Sequence, residues 1–156
     1  LHPHPGGGEG AGVKPNALSS VWRGQGALGS ALLVGDIERE QEAALVAHVG
    51  AEGLQADLLL GPHHGSKTSS SGPFLDAVRP RLAVVQAGYR NRFGHPAGEG
   101  APRYDARAGV VADPPSCGGL RWRSSEPDRW QCERASSQRY WAHQMRTQEP
   151  PADRPR

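Results

Sequence analysis

The chain has 156 residues, room for one ordinary domain, but 36% hydrophobic content with 21 Gly and 14 Pro is poor material for a core of that size. Only the middle is expected to fold compactly. A net charge of +2 is compatible with a nucleic-acid partner without requiring one, no apolar run is long enough to span a membrane, and the first residues do not read as a signal peptide; the chain reads as soluble or as cut from something larger.

Residues 1–13 are rich in Gly, Pro and His without periodicity and read as an irregular segment. A strand through Leu18 and Val21 precedes the Gly-rich turn Gly24-Gln25-Gly26-Ala27-Leu28-Gly29, which can close a hairpin onto Ala31-Leu32-Leu33-Val34, a short buried strand. Residues 38–49 read as a helix with acids in its first turns. Ile37, Ala44, Leu45 and His48 share one face, His48 half-buried, and Gly50 is the stop. Residues 56–60 form a second buried strand. The result is a βαβ unit, whose parallel strands present their carboxyl ends at one edge, so Asp36 and the pair His63, His64 should face one crevice.

The pattern repeats once more. Ser71 can cap a short helix through Pro73, Phe74, Leu75 and Val78, and Leu82-Ala83-Val84-Val85 is a third strand that delivers His95 to the same edge. The crevice then gathers a carboxylate, imidazoles, the hydroxyls of Ser66 and Thr68, and cations from Lys67, Arg90 and Arg92. Metal ligands beside donors to negative oxygens suit hydrolysis of a phosphate ester.

Plainer readings exist for each group. Asp36 could cap the following helix, His63 and His64 could be turn residues, and so could His95. From about residue 113 onward the chain is polar, Arg-rich and broken by Pro, a partly disordered tail over 113–156. Its Trp122, Trp130, Tyr140 and Trp141, interleaved with Arg, could stack on a nucleic-acid strand or equally pack the tail onto the domain. Cys117 and Cys132 could close a disulfide in an oxidising compartment and would stay reduced in cytosol; they lack the partners of a zinc finger.

Four segments together resemble consecutive motifs of the ComEC family, DNA internalization proteins of natural competence. They are Asn16-Ala17-Leu18-Ser19-Ser20, Leu32-Leu33-Val34-Gly35-Asp36-Ile37-Glu38, Pro62-His63-His64-Gly65-Ser66-Lys67-Thr68-Ser69-Ser70 and Ala87-Gly88-Tyr89-Arg90-Asn91-Arg92-Phe93-Gly94-His95-Pro96. The resemblance covers about residues 14–112 and implies an α/β fold, the C-terminal half of an αββα metallo-β-lactamase-type domain. It implies a metal-dependent nuclease acting on incoming DNA, two ions of zinc or manganese, and no small-molecule cofactor. The implied parent is an inner-membrane channel that carries this domain on its periplasmic side. By the same resemblance Asp36 and one of His63 or His64 are metal ligands, and His95, Ser66 and Thr68 lie near the substrate at catalytic positions. Lys67, Arg90, Asn91 and Arg92 would meet a single DNA strand through its phosphates.

The family's earlier His-x-His-x-Asp-His run is missing, since Leu1-His2-Pro3-His4-Pro5 lacks the Asp-His that should follow. Residues 98–102 place Gly and Pro where a family helix would run. Two other readings therefore stand beside the nuclease: a catalytically incompetent remnant with weak DNA or metal binding, and a small-molecule hydrolase of the same fold.

Overall fold

The computed structural model describes residues 15–89, 91–94 and 101–137. A single 3-10 turn, Pro15–Leu18, leads into strand β1, Val21–Gln25, which pairs antiparallel with β2, Ser30–Val34, as the Gly-rich turn predicts. Helix α1, Arg39–Leu54, carries the chain across to β3, Leu58–Leu60, and helix α2, Gly72–Val78, carries it to β4, Leu82–Val84. Beyond the short helix α3, Ala101–Asp105, strand β5, Val110–Ala112, adds itself to the far edge. The sheet order is β1-β2-β3-β4-β5, with β2 to β5 all parallel. The molecule is thus mixed α/β on a mostly parallel sheet, with the βαβ connections read from the sequence.

Strand alternation divides the sheet's side chains between two faces. Leu32, Val34, Leu59, Ala83 and Val85 join Leu45, Leu54, Phe74, Leu75 and Val78 of the two helices in one core. The opposite parity, Ala31, Leu58, Leu82, Val84 and Ala112, faces a second layer. That layer is helix α4, Pro114–Cys117, and the antiparallel pair β6, Leu120–Trp122, and β7, Trp130–Cys132, followed by α5, Glu133–Ser136. Trp122 and Trp130 pack against the sheet, Trp122 also donating its indole N–H to the Pro127 carbonyl at 3.1 Å. Of the two readings of the tail aromatics, these two residues take the packing one; Tyr140 and Trp141 lie outside the described residues. Cys117 and Cys132 are joined as a disulfide across this layer, and Arg81 ties the β6–β7 loop to the sheet through Asp128 and Asp57.

Three details differ from expectation. Leu18 lies in the 3-10 turn, and the strand begins only at Val21. At Gly50 the backbone leaves the helix, with φ 74°, but a further turn runs to Leu54. His48 is exposed rather than half-buried, its Nδ1 within 2.8 Å of the Ala44 carbonyl. The face of α1 that turns inward instead buries Glu42 completely.

Candidate metal centre

The register of the parallel strands brings the segments of Asp36, His63 and His64 to one edge. Leu33 is paired with Leu60, and Leu60 with Val84, so the segments that leave β2, β3 and β4 begin side by side. Asp36, His63 and Gln86 follow at nearly equal offsets. The His63 N–H donates to the Gly35 carbonyl at 3.2 Å, which stitches the first two segments together just past the sheet.

Ser19 fixes the Asp36 end. Its hydroxyl accepts the Asp36 N–H at 3.0 Å, and Gly35 must lack a side chain because a Cβ there would sit 2.9 Å from that of Ser19. This gives the Asn16-to-Ser20 motif a physical role, since the preceding turn places Ser19 through its N–H bond to the Asn16 carbonyl.

His63, His64 and Gly65 all take left-handed backbone angles, φ 45°, 53° and 74°. For the two histidines this costs on the order of 1 kcal/mol each. The strained turn aims the rings differently. His64 Nδ1 lies 2.8 Å from the Gln86 carbonyl, and because a carbonyl only accepts, Nδ1 carries the proton. Nε2 then holds the lone pair, and it faces Asp36 Oδ1 at 3.6 Å. Metal-ligating imidazoles commonly donate their other ring N–H to a backbone carbonyl in this way. Two ligand atoms sharing a tetrahedral ion at bond lengths of about 2.0–2.2 Å stand about 3.4 Å apart, so the observed gap fits one ion between them. The donors are accessible, at 50% side-chain exposure for His64 and 46% for Asp36.

His63 turns the other way. Its Nδ1 faces Glu38 Oε1 at 3.6 Å, and the same oxygen accepts the Thr68 hydroxyl at 3.3 Å. The Thr68 hydroxyl in turn lies 3.2 Å from that of Ser66, which is buried. Glu38, His63, Thr68 and Ser66 thus form a second polar arm beside the Asp36–His64 pair. Lys67 is exposed, its carbonyl accepting from the Arg39 guanidinium at 2.8 Å.

On the β4 side, Asn91 donates its amide to the Gly88 carbonyl at 3.0 Å and accepts the Phe93 N–H at 3.2 Å, closing a turn. The Arg92 guanidinium lies over the Phe93 ring, 4.7 Å from its centre. His95 and Arg90, the remaining predicted site residues, lie outside the described residues.

Beneath the 62–71 loop is a buried anchor. The Glu42 carboxylate accepts the N–H groups of Ser70 and Ser71, the Ser70 hydroxyl meets Tyr104 OH at 2.7 Å, and the Ser69 hydroxyl donates to the Pro62 carbonyl at 3.0 Å. Gly61 is required here, since a Cβ would stand 2.6 Å from Tyr104 OH. Burial pushes the Tyr104 phenol up to about 12; the Ser70 hydrogen bond opposes the shift, and the nearby Glu42 charge adds to it.

The donor chemistry, one carboxylate and one correctly oriented imidazole, fits part of a divalent-metal site. Among the described residues no group of three or more His, Cys, Asp or Glu side chains is arranged to hold an ion.

Over 69 residues the chain is 51% identical to Competence protein ComA of Neisseria gonorrhoeae, covering 44% of this chain and 10% of that protein. It is 35% identical over 83 residues to ComE operon protein 3 of Bacillus subtilis, covering 53% and 10%, and 34% identical over 110 residues to the uncharacterized protein YcaI of Escherichia coli, covering 70% and 14%. The first two relatives, by their names, support a competence protein. The chain spans about a tenth of the length of the curated relatives it matches. No protein-family profile and no solved structure matches it.

Glu38, Gln86, Ser19, Glu42 and Tyr104 are the participants that sequence reasoning did not single out as site residues. Ser19 and Glu38 lie inside quoted motifs and were within reach. Gln86 acts through its carbonyl, which any residue type supplies, so no side-chain signal could mark it.

Proposed function

We propose that this chain is part of a competence DNA-uptake protein, and that its domain acts in the complete protein as a metal-dependent phosphodiesterase on incoming DNA. The observation that carries this reading is the Asp36–His64 pair, Nε2 to Oδ1 at 3.6 Å, with the opposite ring nitrogen donated to the Gln86 carbonyl. A divalent ion bound there would polarise a phosphoryl oxygen and lower the pKa of an attacking water. Zinc and manganese both accept this nitrogen and carboxylate set.

The chain's own residues have separable tasks. Asp36 and His64 hold the ion, while Gln86 fixes the His64 tautomer. Glu38 accepts the Thr68 hydroxyl and faces His63 Nδ1, and so would keep both side chains in place beside the ion. Lys67 and Arg92 neutralise neighbouring phosphates, a sequence-independent contact. The metallo-β-lactamase-type architecture, a parent channel in the inner membrane and a periplasmic position for this domain belong to the same proposal.

A second reading has its own supporting observation: Asp36 and His64 alone underhold an ion, and no third ligand joins them among the described residues. On that reading the 156-residue chain by itself binds one divalent ion weakly and does not cleave DNA. Metal-dependent cleavage of single-stranded DNA by the complete protein, lost on Asp36→Ala, supports the first reading. Cleavage that survives Asp36→Ala with unchanged metal content refutes the assignment.

A further inference from the structure

Trp22, Leu33, Leu60, Val84 and Ala112 are successive cross-strand partners, so they form one apolar row across all five strands, on the face of the sheet opposite α1 and α2. The next row on that face, Ala31, Leu58, Leu82 and Val110, packs under Leu120, Trp122 and Trp130 of the second layer. Over the first row this cover runs out from one side of the sheet to the other. Ala112 is 8% exposed, Val84 and Leu60 are half-buried, Leu33 is 37% exposed and Trp22 is 59% exposed. Between the row and the 117–120 segment the second layer leaves a cavity of about 340 Å³, lined by Leu58, Leu60, Val84 and Leu120 among others. At the open end the Trp22 indole lies against Gly24, where a Cβ would stand 2.3 Å from the ring, and β1 is the last strand of the sheet. Single exposed apolar residues are ordinary, but an exposed pair joined through Leu60 to an apolar cavity marks an interaction surface.

We propose that this row is a docking surface, covered in the complete protein by an apolar segment of the same polypeptide from outside residues 1–156. It rests on the reading above that the chain is part of a longer protein, and not on the enzymatic half of that reading. The chain spans about a tenth of the length of the curated relatives it matches, which leaves most of such a protein to supply the cover. The row holds no charged side chain, and the charged residue that lines the cavity is the acid Asp113, so the surface offers nothing to the phosphates of DNA. The layer already seated on this face meets it with Leu120, Trp122 and Trp130, and a further apolar segment would continue that contact over the uncovered part. Leu60 ends β3 and Leu33 stands one residue short of the end of β2. A segment docked there therefore lies beside the stretches that carry Asp36 and the histidine pair.

The test is the alkylation rate of one introduced thiol, read by mass spectrometry of the labelled peptide, with Cys117 and Cys132 held in their disulfide. Trp22→Cys and Leu33→Cys, each made alone, are compared with Glu52→Cys at an exposed position of α1 and with Ala83→Cys at a fully buried one. In the native complete protein the thiols of Trp22→Cys and Leu33→Cys should react about 10-fold or more slowly than that of Glu52→Cys. In the 156-residue chain they should react much as Glu52→Cys does, while Ala83→Cys stays unreactive and so reports a folded chain. Equal rates for Trp22→Cys, Leu33→Cys and Glu52→Cys in the complete protein would overturn the proposal, whatever the chain alone does. Protection in the chain alone that grows with its concentration would overturn it in favour of a second copy. Protection of the chain that appears only on adding single-stranded DNA would overturn it in favour of nucleic acid. Protected thiols in a complete protein without metal-dependent cleavage keep the surface and remove the enzymatic reading; cleavage with both thiols open does the reverse.

Discussion

The Glu42 carboxylate, fully buried, accepts the backbone N–H of Ser70 at 2.5 Å, with its second oxygen 2.8 Å from the Ser71 nitrogen. Ser70 has a left-handed backbone, φ 58°, and sits where the histidine loop turns into α2. One side chain of α1 thus clamps the far end of the loop that carries His63 and His64. Glu42→Ala should strand one buried and one part-buried donor and cost about 3 kcal/mol of stability, measured by denaturant unfolding. A loss well under 1 kcal/mol would show that the clamp is not needed.

Tyr104 ties the same loop to α3, and its buried phenol has a pKa of about 12 against 10.0 for the free side chain. The folded value is the higher one, so its contribution is fully present below pH 10 and is lost as pH rises through about 12. Two units correspond to about 3 kcal/mol. Comparing melts of the wild type and Tyr104→Phe between pH 9 and 12 checks this: the variant should be the weaker at pH 9 and should decline less above pH 10. Parallel declines would remove Tyr104 from the alkaline transition.

Cys117 and Cys132 close a loop with a sequence separation of 15 over the second face of the sheet. Chain entropy predicts about 3 kcal/mol of stabilisation for a loop of this length. Protein made in an oxidising compartment should show no free thiol when denatured, and reduction should lower the melting temperature while exposing Trp122 and Trp130 to quenchers. Unchanged tryptophan accessibility after reduction would mean that packing alone holds the hairpin.

The legible parts of the fold are those where apolar runs are bounded by turn residues. Leu32 to Val34, Leu58 to Leu60 and Leu82 to Val84 announce strands, and Gly24 to Gly29 announces the hairpin. Strand β5 is not legible in the sequence, because Val110, Val111 and Ala112 become a strand only by pairing with β4. The second layer was read as part of a polar tail, since Arg121 and Gln131 break its apolar character while Leu120, Trp122 and Trp130 supply the buried side. Glu42 looked like a solvated acid of a first helical turn. Its partners, Ser70 and Ser71, arrive from another part of the chain, a relationship no local pattern reveals. Asp36 and the histidine pair were legible as neighbours because parallel strands share an edge; which histidine faces Asp36 depends on the left-handed turn and on the Gln86 carbonyl.

That choice between histidines is where the account is most exposed. On the proposed function, His64→Ala in the complete protein should abolish metal-dependent cleavage of single-stranded DNA and reduce bound metal, as Asp36→Ala should, because each would remove a proposed ligand that no neighbour replaces. His63→Ala, which frees Glu38 and Thr68, should slow cleavage and keep the metal. Metal content measured alongside cleavage in these three variants tests the assignment directly. Retention of wild-type metal and cleavage by His64→Ala, with both lost in His63→Ala, would contradict it.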